Sequence, residues 1–316
     1  AGGTRRTGYG SGVGGGGAGW RRSCGSGGRR REVRVGEDGR GRTSGVWVIA
    51  ARERGGGPDD GRSPPQAADA LPAHDPSCRF CPGNERLLPG IVAETPAPGQ
   101  PAWSVRVVPN KYPALRPDAA PRAADDPADD QLPGFGYHEV VVETPRHDLD
   151  VSDLAAPDLL AVLETYRARY LALAARPGIR SVVIFRNRGH RAGASLHHPH
   201  SQIIATGIVP PRPAAAAEWA RQWHRRTGQC PTCGDLRAEL ADGRRLIETT
   251  DRFVAVVPFA AAGSCEVRIV PRQHQPSFAD ADGDDLADLG RVLQRTMRRL
   301  DAVLGRRSYN YAVESN

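Results

Sequence analysis

The sequence predicts an α+β fold made of two similar halves. The same order of strands, helix and strand occurs twice along the 316 residues, and each half opens with a Cys-x-x-Cys pair, the first at Cys78 and the second at Cys230. When the two helix-to-strand passages are aligned, Asn316 falls opposite Asn187. Because the richest polar segment of the first half follows Asn187, the second half is expected to be truncated, lacking its last strand or two.

Short runs rich in β-branched residues define the strands of the first half. They predict strands at residues 47–49, 105–108, 139–143, 181–185 and 202–205. Segments rich in Gly, Pro, Ser or Asp predict loops up to about residue 76 and over residues 116–133. Apolar residues at helical spacing predict one helix, with Ser152 as its N-cap and Pro177 at its end.

The second half repeats this order. Its strands are predicted at residues 253–257, 266–270 and 309–313. Between the last two strands, apolar residues at helical spacing from Leu286 to Leu300 predict a long helix. An acidic run at residues 280–285 precedes that helix, and negative charge there is favoured by the helix dipole.

Composition divides the chain into three parts. Residues 1–31 contain seven Arg, thirteen Gly and no acidic residue. They are therefore expected to be a disordered tail, or translated sequence that lies upstream of the working protein. Residues 32–210 are predicted to form the N-terminal, catalytic domain. Residues 211–316 are predicted to form an incomplete C-terminal domain.

Charge and cysteine content exclude several classes of protein. The chain has 43 basic and 36 acidic residues, but outside the tail the charges balance, so no folded basic groove for nucleic acid is expected. No apolar stretch resembles a membrane span or secretory signal, which predicts a cytoplasmic protein without a membrane partner. Six Cys are too few for a disulfide scaffold, and two Cys-x-x-Cys pairs favour metal or redox chemistry.

The segment over residues 185–202 carries the densest polar cluster. On an extended chain His198, His200 and Gln202 are spaced by two and point to one face. The Gly/Ser-rich turn at residues 189–195 lets backbone N–H groups approach an anion closely. A phosphate bound at this turn would lie beside the histidines.

This pattern resembles the histidine-triad superfamily and, within it, the galactose-1-phosphate uridylyltransferase family with its ADP-glucose phosphorylase-like and dinucleoside polyphosphate phosphorylase-like members. The resemblance rests on Asn187, Gly193 and Ser195 leading into His-Pro-His-x-Gln at residues 198–202, with shorter matches from residue 47 onward. It implies two histidine-triad-like units, each an antiparallel sheet with packed helices.

The resemblance also implies nucleotidyl transfer through a covalent intermediate on His200. Gln202, Ser195 and backbone N–H groups are expected to donate to the phosphoryl oxygens. Further substrate contacts are expected from Arg54, Asn110, Asn187 and Gly193, although Asn110 fits a simple turn residue equally well. The second basic residue usual after Arg54 is replaced by a Gly run at residues 55–57, which puts part of the substrate affinity in doubt.

Cys78 and Cys81 form half of a zinc site. The resemblance assigns His147 and His198 as the other two ligands, with His138 as a competing third ligand and a redox Cys-x-x-Cys as the alternative. A closed Cys2His2 shell leaves no position for substrate, so the implied Zn²⁺ is structural.

A second metal site of similar design is expected at Cys230, Cys233 and His274. Phosphorylase-like relatives place a fourth ligand farther along, and this chain stops before one, so the site is expected to be incomplete.

The leading hypothesis is transfer of UMP between a nucleotide sugar and hexose 1-phosphate. The alternatives are an adenylyltransferase of the phosphorylase type that uses phosphate as acceptor, and a non-catalytic zinc-stabilised nucleotide-binding protein. Ser201 favours the phosphorylase branch, because uridylyltransferases usually have Gly there, whereas the His-Pro-His sequence favours the uridylyltransferases. Gln202 argues against dinucleotide hydrolysis, since hydrolytic relatives have a third His there. The family implies a homodimer.

Overall fold

The structure, a computed structural model, describes residues 32–35, 47–50, 71–97, 102–119, 131–259, 261 and 265–315. For residues 32–35, 47–50 and 131 only the backbone is described. The predicted tail at residues 1–31, Arg54 and Asn316 lie outside these ranges.

The described chain contains both strands and helices. The strands are β1 (Glu32–Val35), β2 (Trp47–Ala50), β3 (Ala93–Pro96), β4 (Trp103–Pro109), β5 (Gln131–Pro133), β6 (Gly136–Val142), β7 (Ser181–Arg188), β8 (His200–Thr206), β9 (Leu246–Thr249), β10 (Phe253–Val256), β11 (Arg268–Pro271) and β12 (Tyr309–Val313). The helices are α1 (Ala156–Ala174), α2 (Pro211–Thr227), α3 (Pro231–Asp242) and α4 (Gly283–Leu304). Single 3₁₀ turns occur at Glu85–Leu87, His190–Ala192 and Phe278–Asp280.

A six-stranded antiparallel sheet in the order β12-β7-β8-β6-β4-β3 forms the centre of the fold. Two smaller sheets have the orders β2-β1-β5 and β11-β10-β9. Together with four helices, these antiparallel sheets confirm the predicted α+β class.

The first helix does not begin where the sequence predicted. Its N-cap is Ala155, and the Ser152 hydroxyl instead donates to an Asp301 carboxylate oxygen at 2.8 Å. Pro157 in the first turn explains the start, because Pro lacks an N–H and its φ suits that position. The prediction of Ser152 as N-cap was therefore wrong.

β12 brings the end of the chain into the central sheet. It pairs antiparallel with β7, with Asn310 opposite Asn187, and does not extend the β11-β10-β9 sheet. α4 packs against α1 on one face of the sheet, where Leu286 joins a core that includes Val141, Leu163 and Ile203. The two predicted halves therefore share one sheet and one core in the described residues.

The other face of the central sheet carries the loop with the first Cys pair. Phe80 and the two cysteines pack there against Trp103, Val108, Val140 and Val142. Because side chains alternate along a strand, His200 and Gln202 of β8 point to this face, whereas Ser201 points to the helix face. Among the described helices, none combines the length and apolar character that a bilayer crossing requires.

Candidate active site

Four side chains meet at metal-ligand distances near the N-terminal end of β8. Cys78, Cys81, His147 and His198 each offer one ligand atom, and these atoms all lie within 4.8 Å of one another. Cys78 Sγ is 3.7 Å from His198 Nδ1, and Cys81 Sγ is 3.6 Å from Nδ1 of both His147 and His198. A tetrahedral ion with ordinary zinc bond lengths separates its S and N ligands by about 3.6 Å. The cluster could therefore hold a metal ion.

Hydrogen bonds within the loop of the first Cys pair, residues 75–84, here called the cysteine loop, hold both thiols in place. The Asp75 N–H donates to Cys81 Sγ at 3.3 Å, and the Cys81 N–H donates to the Cys78 carbonyl at 3.2 Å. The Asn84 side-chain amide donates to the same Cys78 carbonyl at 2.8 Å. The two sulfur atoms are therefore positioned by the loop itself.

The surrounding protein also favours ligation through the two histidines. His198 Nε2–H donates to the Thr144 carbonyl at 2.8 Å, so its Nδ1 lone pair faces the thiols. Burial lowers the pKa of His147 and lowers that of His198 to about 4. Burial raises the pKa of the Cys81 thiol to about 11, and a bound cation would oppose that shift because it stabilises the thiolate.

His200 lies two residues beyond His198 and is oriented by it. The His200 Nδ1–H donates to the His198 carbonyl at 2.7 Å, which leaves the lone pair on Nε2. Burial lowers the pKa of His200, while the hydrogen bond to His198 opposes that effect. Its ring centroid is 5.5 Å from that of Phe80 in the cysteine loop. This arrangement gives a neutral, oriented imidazole, which is the form that acts as a nucleophile.

Gln202 continues the same face of β8 and contacts two side chains. Its Oε1 is 2.8 Å from His138 Nε2 and 3.5 Å from Asn110 Nδ2. Asn110 Oδ1 accepts the Tyr112 N–H at 2.9 Å, so Asn110 closes a turn as well as facing Gln202. His138, the competing third ligand, contacts Gln202 and is not among the four clustered residues.

The glycine turn adopts backbone conformations that favour Gly. Gly189 and Gly193 have φ values of 81° and 86°, and a Cβ on Gly189 would lie 2.3 Å from Ser308 Oγ. The N–H groups of residues 192–194 donate to carbonyls inside the turn at 2.9–3.2 Å. These three groups are engaged within the turn, whereas Ser195, its last residue, is exposed.

Asn187 is linked to the turn by a residue from the end of the chain. Asn310 Nδ2 donates to Asn187 Oδ1 at 2.7 Å and to the Ala192 carbonyl at 2.9 Å. The Asn187 Nδ2 atom lies 3.7 Å from the Cβ position of Gly193. In the β7-β8 ladder Arg186 pairs with Ser201, so Asn187 follows at the His200 end of β8.

A buried polar network lies on the opposite face, and sequence reasoning missed it. The Ser201 hydroxyl donates to Glu143, which also accepts the Tyr166 hydroxyl at 2.9 Å and forms a 2.8 Å ion pair with Arg186. The remaining members of the network are Asp150, Tyr309 and Tyr311. One sequence signal for it was Glu143, a charged residue at the end of a predicted apolar strand.

The second Cys pair gathers a looser cluster. Cys230, Cys233 and His274 offer ligand atoms within 4.8 Å of one another, with Cys233 Sγ 3.3 Å from His274 Nδ1. Cys230 is the N-cap of α3, which places Cys233 in the first turn. These residues are only partly buried or exposed, unlike the first cluster. The cluster provides three ligands within the described part of the chain.

Known proteins resemble the chain over most of its length. Residues 41–210 match the family described as galactose-1-phosphate uridyl transferase, N-terminal domain. An ADP-glucose phosphorylase of Arabidopsis thaliana is 31% identical over 273 residues, which cover 85% of this chain and 75% of the relative. A galactose-1-phosphate uridylyltransferase of Haemophilus influenzae is 25% identical over 256 residues, which cover 81% of this chain and 71% of the relative.

Solved structures agree with the sequence comparisons. The fold matches the Arabidopsis thaliana ADP-glucose phosphorylase with bound ADP-glucose at a TM-score of 0.67 and 28% identity, covering 91% of this chain and 82% of that one. It matches a uridylyltransferase at a TM-score of 0.68 and 28% identity, covering 89% and 79%. The chain belongs to the galactose-1-phosphate uridylyltransferase family of nucleotidyltransferase enzymes.

Proposed function

We propose that the chain transfers a nucleotidyl group from a nucleotide sugar to a phosphate-bearing acceptor through a covalent intermediate on His200. The observation that carries the proposal is the His200 Nδ1–H bond to the His198 carbonyl, which leaves a lone pair on Nε2. Burial favours the neutral imidazole, and a neutral imidazole is nucleophilic near pH 7.

The reaction has two displacements at the same phosphorus atom. In the first, the His200 Nε2 lone pair forms a bond to the α-phosphorus, and the bridging P–O bond breaks, so the oxygen leaves with its electron pair as sugar 1-phosphate. In the second, a phosphate oxygen of the acceptor attacks that phosphorus, and the N–P bond breaks to return the electron pair to Nε2. Because Nδ1–H keeps its bond to the His198 carbonyl, the imidazole is stabilised while it carries the phosphoryl group.

Hydrogen-bond donors near His200 would compensate the negative phosphoryl oxygens. We assign this task to the Gln202 amide, the Asn187 amide and the exposed Ser195 hydroxyl. Gly193 would allow close approach of the substrate to the turn. We also propose Asn110 and Arg54 as substrate contacts. Asn110 has a second role, because its Oδ1 closes the turn at Tyr112.

We further propose that the first Cys/His cluster holds Zn²⁺ in a structural role. A bound zinc ion would cross-link the cysteine loop to the start of β8. Four protein ligands close the tetrahedron, so substrate would not reach the ion. The loop would then determine the direction in which His200 points, since Phe80 of that loop contacts the His200 ring.

Two nucleotide sugars are candidate nucleotidyl donors, and the observations support them unequally. Transfer of UMP to hexose 1-phosphate is the leading hypothesis from the sequence, and many relatives are named uridylyltransferases, among them that of Haemophilus influenzae. Transfer of AMP from ADP-glucose, with phosphate as acceptor, is supported by the 31% identity to the Arabidopsis thaliana ADP-glucose phosphorylase and by Ser201. We propose ADP-glucose as the first donor to test.

The same proposal covers the domain organisation, the assembly and the location of the protein, and a second metal site. We propose the domain division at residues 210 and 211, the duplicated histidine-triad-like units, the homodimer and the cytoplasmic location. A second zinc site is proposed at Cys230, Cys233 and His274, because three suitable ligand atoms lie within 4.8 Å of one another there.

The proposal is tested by incubating the protein separately with ADP-glucose and UDP-glucose, without acceptor, and measuring intact mass. We expect one added AMP or UMP group per chain in the wild type and none in His200→Ala. Addition of phosphate or of hexose 1-phosphate should remove the group and identify the acceptor. No adduct from either donor would exclude the covalent mechanism, and an adduct that persists in His200→Ala would exclude this nucleophile.

A further inference from the structure

We propose that His138 is a positioning residue that holds Gln202 as a hydrogen-bond donor toward the transferring phosphoryl group. The proposal rests on the proposed function, because it deepens the role of Gln202 in the same site. His138 is 5% exposed and lies on β6, on the same face of the sheet as Gln202. In the β6-β8 ladder His138 pairs with Ile204, so its ring reaches Gln202 diagonally across the ladder.

The hydrogen bonds of the His138 ring determine its tautomer. Nδ1 accepts the Ala114 backbone N–H at 3.0 Å, so it carries a lone pair and no proton. In the neutral ring the proton is then on Nε2, which lies 2.8 Å from Gln202 Oε1. His138 therefore donates to Gln202, and the Gln202 carbonyl oxygen accepts.

Asn110 supports the same orientation of Gln202. Its Oδ1 accepts the Tyr112 N–H at 2.9 Å, so its amide nitrogen faces the His138–Gln202 pair, 3.0 Å from His138 Nε2 and 3.5 Å from Gln202 Oε1. Because both nitrogen atoms are donors in this arrangement, Gln202 Oε1 is the acceptor for both. The Asn110 amide and the His138 ring thus present two donors to one carbonyl oxygen.

The contact between His138 and Gln202 fixes which end of the glutamine amide faces the substrate. An amide can present either its oxygen or its nitrogen by rotating half a turn, and an oxygen aimed at a phosphate would repel it. With Oε1 held by His138, the amide nitrogen is directed away from His138 and can donate. The ring therefore selects the useful orientation of Gln202 before substrate binds.

The test measures single-turnover nucleotidylation of His200 by the donor that the wild type accepts. His138→Phe keeps an aromatic ring but removes both nitrogen atoms. We expect it to slow adduct formation about 10- to 100-fold at a saturating concentration of the nucleotide sugar. This effect is somewhat smaller than that of removing a hydrogen-bond donor to the phosphoryl group. His138→Gln offers an amide N–H near the former Nε2 position and should recover part of the rate. His224→Phe, the same change at an exposed position on α2, should leave the rate unchanged.

A double-mutant cycle separates positioning from a general structural effect. If His138 acts through Gln202, His138→Phe should slow the reaction less than about 2-fold in a Gln202→Leu background. Equal slowing in both backgrounds would overturn the proposal, and so would a wild-type rate in His138→Phe. Metal content and melting temperature, measured on each variant, show whether the fold is retained.

An activity-independent measurement keeps this inference distinct from the proposed function. Proton–nitrogen NMR spectra of the wild-type His138 ring should show the Nε2–H tautomer. An Nδ1–H tautomer would refute the inference whatever the activity. Absence of any adduct in the wild type would instead refute the proposed function.

Discussion

At the scale of single residues, Ser201 stands between His200 and Gln202 but faces away from both. Its hydroxyl donates to Glu143 and contacts Tyr166 on the helix side of the sheet. The Gly/Ser difference at this position therefore concerns a buried hydrogen-bond network rather than direct contact with the nucleotide. Ser201 is also fully buried, so its hydroxyl has no access to solvent.

Replacement of this hydroxyl should reduce stability without changing the choice of donor. In Ser201→Ala the buried Glu143 carboxylate loses one donor, so we expect the free energy of unfolding to fall by about 1–3 kcal/mol. Urea denaturation measures the loss, and Thr227→Ala on the exposed end of α2 is the control, expected within about 0.5 kcal/mol of wild type. A switch between ADP-glucose and UDP-glucose in Ser201→Ala would contradict this role.

Part of the candidate site could be predicted from the sequence, because it depends on residues that are neighbours along the chain. The period of a strand places His200 and Gln202 on one face, and ligand chemistry points to the two cysteines. The partner of Gln202 could not be predicted, because His138 reaches it only through strand pairing across 64 positions. The burial of Glu143 beside Arg186 likewise depends on long-range packing.

At the scale of elements, β12 links the last part of the chain to the glycine turn. Asn310 bonds both Asn187 and the Ala192 carbonyl, and these contacts orient the Asn187 amide. The β-branched strands of the central sheet were predictable within a few residues, since their composition is distinctive. The pairing of β12 with β7 was not, because a strand pattern does not specify its neighbour.

Loss of the Asn310 amide should weaken substrate binding more than it weakens the fold. In Asn310→Ala, Asn187 can rotate away from the turn, and we expect a rise of about 3- to 10-fold in the Kd for the nucleotide sugar, equivalent to about one hydrogen bond. Isothermal titration calorimetry checks this with His200→Ala as the background, in which we expect no transfer. Unchanged affinity would show that the turn is held without Asn310.

The N-terminus of α4 carries a pH-dependent contribution to stability. Burial raises the pKa of Asp285, but the hydrogen bonds from Arg252, the Asp282 backbone and Gln275 outweigh it and lower that pKa below 3.8. A carboxylate whose pKa is lower in the folded state than in the unfolded state stabilises the fold at pH values above its unfolded-state pKa. This contribution is lost as the pH falls through the folded-state pKa.

Stability should therefore decline as the pH falls through and below about 3.8, the unfolded pKa. Asp285→Asn should be less stable than wild type at pH 7, and the difference should shrink toward pH 3. Thermal unfolding at a series of pH values measures the difference. Asp284→Asn is the matched control, because the Asp284 side chain is 82% exposed and should show little change.

At the scale of the whole molecule, the first Cys/His cluster joins distant parts of the chain. Its ligands come from the cysteine loop, from the segment after β6 and from the start of β8. A metal ion that binds only the folded arrangement stabilises the fold by mass action.

Loss of the proposed zinc ion should lower both stability and activity. We expect Cys81→Ser to lose one zinc ion per chain and to melt roughly 4–6 °C lower, which corresponds to about 3 kcal/mol. Zinc analysis and calorimetry measure these changes, with the exposed Cys265→Ser as the control. Full zinc content in Cys81→Ser would show that the ion binds elsewhere.

The pairing of β12 with β7 also has a consequence for biosynthesis. The ribosome makes β7 and β8 more than a hundred residues before Tyr309, Asn310 and Tyr311. Until those three residues emerge, the Arg186 guanidinium and the glycine turn lack partners that they contact in the finished fold. We therefore expect nascent chains to acquire a competent nucleotide pocket only after these three residues have left the ribosome, however early a metal ion binds the cysteine loop.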